Sequence, residues 1–242
     1  MLTHKSVLHK ANTRGNANHG WLNAYHSFSF ANWQNPERNN FGVLRVLNDD
    51  TIAAGMGFGM HAHDNMEIIT IPLEGDLAHK DNMGNAETIK TGDIQVMSAG
   101  TGIQHSEFNP NANLQTKLFQ IWLFPNKRDV TPRYQQITLK TADQKNNFLQ
   151  ILSPNPDDDG VWIHQDAWFY WSDFEKDFSK KYSLKKQGNG VYVFVISGTI
   201  AINGQEIATR DGFGIWNTGS FEISAVSRAS FLVMEIPMEI NY

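Results

Sequence analysis

The sequence predicts an all-β protein made of two units, each a β-sandwich or a barrel. Short apolar runs recur along its 242 residues, helical periodicity is scarce, and the 19 glycines and 15 phenylalanines favour strands, turns and aromatic packing. Closely spaced short strands of this kind are typical of sandwiches and barrels. The runs that we interpret as strands are 41–47, 67–73, 94–97, 118–124, 191–196, 199–202, 214–216 and 231–236.

Turn residues delimit these strands and indicate an internal repeat. Asn203-Gly204 lies between two apolar runs, and a two-residue hairpin needs a positive φ at both central positions, so this pair predicts a hairpin. In each half a strand ends at a glycine, Gly75 or Gly198, and a hairpin and a Gly-Asp or Asp-Gly turn follow. We interpret this pattern as a duplication; the alternative is that two unrelated β-units share turn chemistry.

The strand rhythm breaks in the middle of the chain. A polar segment precedes residue 148, and the acidic turn 154–160 follows it. We therefore predict an N-terminal unit at residues 1–135, a linker at 136–147 and a C-terminal unit at 148–242.

Composition excludes several classes of function. The formal net charge of −5 argues against a nucleic-acid partner, because such proteins need a basic face to displace counterions. The absence of cysteine excludes disulfides, thiolate nucleophiles and iron–sulfur clusters. The first residues contain no apolar signal segment, and the longest apolar runs are too short to span a bilayer, so we expect a cytoplasmic protein without a membrane partner.

Two short motifs predict a metal site in the first half. His61 and His63 are two residues apart, as are His105 and Glu107, and side chains at that spacing on a strand point to the same face. If the two strands are adjacent, three imidazoles and one carboxylate converge on one point. This donor set suits Fe(II), Mn(II), Ni(II) or Zn(II). Glycine-rich stretches at 55–59 and 98–102 lead into the two motifs and allow sharp bends.

These residues resemble the pirin family of the cupin superfamily. The first cupin motif corresponds to Gly55, His61, His63, Glu67 and Gly75, and the second to Gly92, residues 98–100 and His105. Glu67 lies one residue nearer the histidines than in most cupins. The second motif has two extra residues before its histidine and is followed by Glu107, as in pirins. The other stretches that look like pirin are 19–21, 26–31, 41–49, 97–107, 120–122 and 131–135.

The resemblance is specific over residues 8–135 and looser beyond. It implies a bicupin fold of two double-stranded β-helix (jelly-roll) units, of which the second is degenerate and lacks metal ligands. The only histidine after residue 147 is His164, which we interpret as a surface or hydrogen-bonded strand residue. We expect a monomer, because two units that close on each other leave no obvious need for a partner.

The resemblance also implies an activity. Pirins similar to this chain are associated with quercetin 2,3-dioxygenase activity, in which O2 opens the heterocyclic ring of a flavonol and carbon monoxide is released. His61, His63, His105 and Glu107 would bind the metal, with Fe(II) expected foremost, and Glu107 would also act as the base for the flavonol 3-hydroxyl. One alternative is an iron-containing, redox-sensitive regulator that binds a protein partner. Another is a metal-free small-molecule binder of the same fold.

Further residues near the motifs have predicted positions. If strand alternation continues past His63, Glu67 shares a face with His61 and His63, so we expect it to hydrogen-bond a ligand imidazole, with service as a fifth ligand as the alternative. His19, His26 and His79 lack paired spacing, so we expect them to be structural or exposed, with His26 close to the pocket. The residues considered for an apolar substrate pocket are Phe28, Phe30, Phe41, Phe58, Met60 and Met97.

Overall fold

The computed structural model describes residues 4–241 and is almost entirely β-structure. The strands of the first half are β1 (Lys5–His9), β2 (Gly15–Asn18), β3 (Leu22–His26), β4 (Leu44–Ile52), β5 (Gly57–His63), β6 (Glu67–Glu74), β7 (Leu77–Asp81), β8 (Ala86–Ile89), β9 (Asp93–Ser98), β10 (Ile103–Phe108), β11 (Thr116–Leu123) and β12 (Arg133–Thr138). Those of the second half are β13 (Leu149–Ser153), β14 (Val161–Trp162), β15 (Trp168–Phe174), β16 (Ser179–Ser183), β17 (Asn189–Ser197), β18 (Thr199–Ile202), β19 (Gln205–Ala208), β20 (Gly212–Trp216), β21 (Ser220–Ala225) and β22 (Ala229–Pro237).

Helical structure between residues 4 and 241 consists of three short 3-10 turns. They span Ala11–Thr13, Pro36–Arg38 and Thr141–Gln144. None of the helices in this part of the chain could cross a membrane. The predicted all-β class is therefore confirmed.

Each half forms a seven-stranded sheet and a four-stranded sheet. In the first half the orders are β12-β9-β6-β11-β4-β3-β2 and β5-β10-β7-β8. In the second half they are β1-β20-β17-β22-β15-β13-β14 and β16-β21-β18-β19. Strands β4–β11 of the first half take the same places as β15–β22 of the second, so the predicted repeat is confirmed.

The predicted hairpin lies between β18 and β19. Ile202 pairs with Gln205, and Asn203 and Gly204 have φ values of 50° and 80°. Positive φ at both positions is what a type I′ turn requires. This turn was therefore correctly predicted from two residues.

Two strands bear on the predicted division of the chain. Strand β1 pairs with β20 of the second half, although it lies within the segment 1–135. Strand β12 pairs with β9 and continues to Thr138, into the segment predicted as a linker. The two halves are thus tied together at their ends, and the boundaries at 135 and 148 stay a prediction.

The main hydrophobic core lies between the two seven-stranded sheets. Phe119 on β11 and Phe194 on β17 are fully buried there, with ring centroids 5.4 Å apart in an edge-to-face arrangement. Burying an aromatic side chain of this size contributes about 1.5–3 kcal/mol. Because side chains alternate along β11, the neighbours of Phe119 point the other way, into the first unit. That alternation brings Gln120 and Trp122 to the interior where the metal motifs lie.

The interiors of the two units differ in chemistry. At two corresponding pairs of positions, the first unit has polar side chains and the second has apolar ones. The pairs are His61–His105 and His79–Glu107 in the first unit, and Tyr182–Phe221 and Ile202–Ile223 in the second. All four second-unit side chains are buried in one apolar cluster. The second unit therefore fills the space that the first leaves for a site.

Candidate metal centre

Strands β5 and β10 lie side by side and bring the predicted histidines together. His105 pairs with His61, and Ile103 pairs with His63. The ring centroid of His105 lies 4.3 Å from that of His61 and 5.0 Å from that of His63. One ligand nitrogen from each of the three rings lies within 4.8 Å of the other two. The expected convergence of the three imidazoles is therefore observed.

Glu107 lies in the same cavity but outside this group of nitrogens. Its carboxylate is 4% exposed and accepts hydrogen bonds from Gln120 Nε2 at 3.1 and 3.2 Å and from Thr70 Oγ1 at 3.5 Å. A bulge separates it from the histidines, because His105 pairs with His61 whereas Glu107 pairs with Phe58. Such bulges change the direction of a side chain next to a site.

A glycine is required where β5 passes Glu107. A Cβ atom at Gly57 would overlap the backbone oxygen of Glu107, whereas a Cβ at Gly59 would have no atom within 4 Å. The absence of a side chain at Gly57 thus lets β5 approach the backbone of β10 closely at Glu107.

Burial keeps the imidazoles of His63 and His105 neutral. Burial, with a smaller contribution from the neighbouring His61, lowers the pKa of His105 to about 2 and that of His63 to about 4. Burial also raises the pKa of Glu107, against the opposing effect of the hydrogen bond from Gln120. Neutral imidazoles have the free lone pair that metal coordination needs.

Two imidazoles have their second nitrogen engaged, which leaves the first free for a metal. His61 Nδ1 lies 2.8 Å from the carbonyl oxygen of Gly59, so it donates there and Nε2 is free. His105 Nε2 is buried without any hydrogen-bond partner. A buried polar atom without a partner is costly unless a ligand satisfies it. The residues present therefore fit a divalent metal ion.

His79 and Asp81 orient His105 from behind. His79 Nε2 lies 3.1 Å from Asp81 Oδ2, and both side chains are fully buried. Donation from Nε2 to the carboxylate leaves Nδ1 of a neutral His79 as an acceptor, and His105 Nδ1 lies 3.5 Å from it. His105 then carries its proton on Nδ1 and its lone pair on Nε2. Asp81 is itself fixed by the turn after β7, since it accepts from the backbone amides of Met83 and Asn85.

His79 is structural, which is one of the two outcomes expected for it, but its position next to the site was not predicted. It is buried and supports a metal-site histidine, although it lacks paired spacing. Its signal was the alternation His79-x-Asp81 on a strand that pairs with β10, where His79 lies opposite Glu107. That signal depends on a strand register that the sequence does not display.

Glu67 is neither a ligand nor a partner of a ligand imidazole. Strand β5 ends at His63 and β6 begins at Glu67, so the intervening loop breaks the strand alternation on which the prediction relied. Glu67 instead accepts a hydrogen bond of 2.7 Å from Ser98 Oγ and faces Arg133. Burial raises the pKa of Glu67 to about 7, partly offset by these two neighbours.

A cavity of about 500 Å³ opens onto the three histidines. Its size is in the range of small-molecule sites. Its aromatic wall includes Trp21, Phe30, Phe58 and Trp122, and the Trp122 ring contacts His63 with centroids 4.9 Å apart. The complete lining is Ala17, His19, Trp21, Leu22, Ala24, His26, Phe30, Ala31, Asn48, Asp50, Phe58, His61, His63, His105, Glu107, Gln120 and Trp122.

Two of the six apolar residues predicted for the pocket, Phe30 and Phe58, line it. Phe28 and Phe41 lie in the core between the sheets, Met97 is buried in a separate apolar cluster, and Met60 is 54% exposed. The sequence did not single out Trp21 or Trp122. His19 and His26 line the cavity as well, and His26 Nδ1 lies 2.9 Å from Asn48 Oδ1.

Three residues outside the cavity have well-defined surroundings. Arg45 donates to the backbone oxygens of Ser29 at 2.6 Å and Asn39 at 3.1 Å. The His164 ring is partly buried and packs against Trp162 with ring centroids 4.9 Å apart. Asp64 is exposed.

Comparison with known proteins agrees with this architecture. Residues 7–123 match the family described as Pirin, and residues 150–236 match the family described as quercetinase C-terminal cupin domain. The chain is 43% identical to quercetin 2,3-dioxygenase of Escherichia coli K12 over 95% of its own length and 98% of that protein. It is 37% identical to a pirin-like protein of Caulobacter vibrioides, with 91% and 95% of the two chains covered.

Two solved structures have the same fold as this chain, and one of them contains nickel(II). The crystal structure of YhhW from Escherichia coli has a TM-score of 0.92 at 41% identity, covering 98% of this chain and 100% of that one. The nickel(II) complex of the bacterial pirin YhhW has a TM-score of 0.91 at 41% identity, with 96% and 99% covered. With the histidine cluster and the two matched cupin domains, these relatives identify the chain as a member of the pirin family, a two-domain cupin suited to a divalent metal.

Proposed function

We propose that the chain is a metal-dependent dioxygenase that opens the heterocyclic ring of quercetin-like flavonols with O2 and releases carbon monoxide. His61, His63, His105 and Glu107 would bind the metal, for which Fe(II) is our first expectation. The observation that carries the proposal is the cluster of three imidazoles in an aromatic-walled cavity. The names of the relatives support the same reaction class.

The metal and the residues of the cavity would have separate roles in the reaction. When bound, the metal would supply a positive centre that lowers the pKa of a coordinated hydroxyl and a site for dioxygen chemistry. The aromatic wall, with Phe30, Phe58 and Trp122, would hold a planar substrate and exclude water. Glu107, whose pKa is raised by burial, would accept the proton of the flavonol 3-hydroxyl. Gln120 would hold the carboxylate in place through its amide.

The test is turnover of quercetin by protein loaded anaerobically with one metal at a time and then exposed to O2. Loss of flavonol and formation of carbon monoxide are followed together, with Fe(II), Mn(II), Ni(II) and Zn(II) compared. Metal- and oxygen-dependent turnover that disappears in a His61→Ala/His63→Ala variant supports the proposal. Stoichiometric metal without carbon monoxide contradicts it.

The second assignment of Glu107, as base, has its own control. Glu107→Gln keeps the shape of the side chain and can still face Gln120. Retained metal with lost turnover supports proton transfer by Glu107. Full turnover in this variant contradicts it.

A regulator that binds a protein partner is the second candidate, and one surface feature favours it. The outer face of the ligand strands exposes Met60 and Phe108, which are 54% and 46% accessible, with Met56 beside them at 41%. An apolar group on strands that hold metal-site residues could report the metal's state to a partner. Stoichiometric metal without turnover would favour this reading. The monomeric state, cytoplasmic location and lack of a nucleic-acid partner stay predictions.

A further inference from the structure

The cavity contains a second buried polar atom without a partner, on the wall formed by β4. Asp50 lines the cavity, is 4% exposed and has no hydrogen-bond partner for Oδ1. Between residues 4 and 241, four buried side-chain atoms lack partners, and two of them, His105 Nε2 and Asp50 Oδ1, belong to residues of this cavity. A metal ion accounts for the first atom and leaves the second unexplained.

The surroundings of Asp50 offer it no partner. Its pairing neighbours on the adjacent strands are Ala24 and Leu118. On the same wall, His26 Nδ1 and Asn48 Oδ1 lie 2.9 Å apart and bond each other rather than Asp50. Burial, together with repulsion from Asp49 and Glu107, raises the pKa of Asp50 well above its ordinary value.

The unpartnered Oδ1 of Asp50 accepts a hydrogen bond whether or not the carboxyl group is ionised, so it matches a hydroxyl group, which donates one. Asp50 is not needed to hold the fold at this point, because an apolar residue between Ala24 and Leu118 would have no unsatisfied atom. A buried polar group without a partner in the fold confers specificity, because a ligand that hydrogen-bonds to it binds better than a ligand that leaves it without a partner.

We propose that Asp50 is a specificity-determining residue that accepts a hydrogen bond from a phenolic hydroxyl of the substrate other than the one that reacts at the metal. The substrate class is then a planar polyphenol, whose rings lie along the aromatic wall while a second hydroxyl reaches β4. This inference rests on the proposed function for its choice of substrate, but it concerns binding and is tested by binding.

The experiment compares two flavonols that differ in this respect. Quercetin carries hydroxyls besides the 3-hydroxyl, whereas 3-hydroxyflavone carries the 3-hydroxyl alone. Anaerobic calorimetric titration of the Ni(II)-loaded protein gives the ratio of the two dissociation constants. The variants are Asp50→Leu, which keeps the approximate shape and removes the hydrogen bond, and Asp50→Asn, which keeps an acceptor and a donor.

The expected result is a preference for quercetin that falls about 10- to 100-fold in Asp50→Leu through weaker quercetin binding, with 3-hydroxyflavone changed less than threefold. Asp50→Asn keeps the preference within about threefold and also guards against a folding defect in the leucine variant. Equal losses for both flavonols, or an unchanged preference in Asp50→Leu, would overturn the proposal.

Turnover measured in parallel separates the two claims. If the preference for quercetin depends on Asp50 but no carbon monoxide forms, the specificity assignment is supported and the dioxygenase proposal is contradicted. If carbon monoxide forms but the preference does not change in the Asp50 variants, the dioxygenase proposal is supported and the specificity assignment is contradicted. If neither flavonol binds the loaded protein, both claims fall.

Discussion

Replacing Asp81 by asparagine should weaken metal binding, although Asp81 has no access to the metal. The carboxylate of Asp81 accepts a hydrogen bond from His79 Nε2–H, and this leaves Nδ1 of His79 as the acceptor for His105. An asparagine amide at that place donates instead, so His79 would carry its proton on Nδ1. His105 would then be driven toward the tautomer protonated on Nε2, the atom that is to bind the metal.

The expected magnitude follows from the buried bond that is lost. His79 and Asp81 are both fully buried at 3.1 Å, and a hydrogen bond to a charged group in such a place is worth about 1.5–3 kcal/mol. Disturbing the outer partner of a metal-bound histidine typically costs about 10- to 100-fold in metal affinity. The two figures agree, because every 1.4 kcal/mol is about tenfold. We therefore expect a dissociation constant raised about 10- to 100-fold.

The assay is competition titration of Ni(II) or Fe(II) against a chelator of known affinity, under anaerobic conditions. Asp93→Asn is the matched control, because Asp93 is also a buried carboxylate at a turn, bonded to Lys90 N and Thr138 Oγ1 but to no histidine. The control should keep wild-type affinity. Asp81→Asn binding within twofold of wild type, in a variant that is folded by circular dichroism, would refute the tautomer argument.

Three further predictions concern packing and charge. Gly57→Ala should lower the stability by about 1–3 kcal/mol and also lower the metal affinity, because the new Cβ meets the backbone of Glu107. Gly59→Ala should leave the metal affinity unchanged. Thermal melts and metal titration compare the two variants, and equal effects would contradict this prediction. Glu67 has a folded pKa of about 7, so between pH 4.5 and 7 it ionises only in the unfolded chain, and stability falls as pH rises. From pH 4.5 to pH 7 the unfolding free energy of wild type should therefore drop by about 3 kcal/mol more than that of Glu67→Gln. Urea denaturation of both proteins at the two pH values measures this difference, and an equal change in both would contradict the prediction. Phe221→Ala should cost about 3–5 kcal/mol in stability yet leave metal affinity unchanged, as urea melts and titration would show; altered metal binding would mean that the second unit shapes the site directly.

Local patterns predicted much of the fold. The Asn203-Gly204 hairpin and the repeat of turns needed only neighbouring residues, because backbone conformation at those positions is decided by residue type. The histidine pairs were predicted for the same reason, since two-residue spacing on a strand puts side chains on one face whatever the rest of the chain does.

Features that depend on long-range register could not be predicted. His79 comes 26 residues before His105, and only the pairing of β7 with β10 brings them together. Glu67 was assigned to the site because strand alternation was extended through a loop that interrupts it. The pairing of β1 with β20 depends on packing across the whole chain.

The pocket residues show the same limit in another form. Phe28 and Phe30 are two residues apart, yet one is in the core and the other lines the cavity, because they lie after the end of β3 where alternation no longer holds. A sequence can indicate that aromatic residues are near a site, but their direction in irregular segments is decided by tertiary packing.

The proposed function depends on His61, His63, His105 and Glu107 binding one divalent metal ion together. The X-ray absorption spectrum of the anaerobic Fe(II)-loaded protein, with metal content determined on the same sample, tests this ligand set. We expect one metal ion per chain, with three imidazole ligands and the remaining ligands oxygen. A spectrum with fewer than two imidazoles, or full metal occupancy in a His61→Ala/His63→Ala variant, would contradict it.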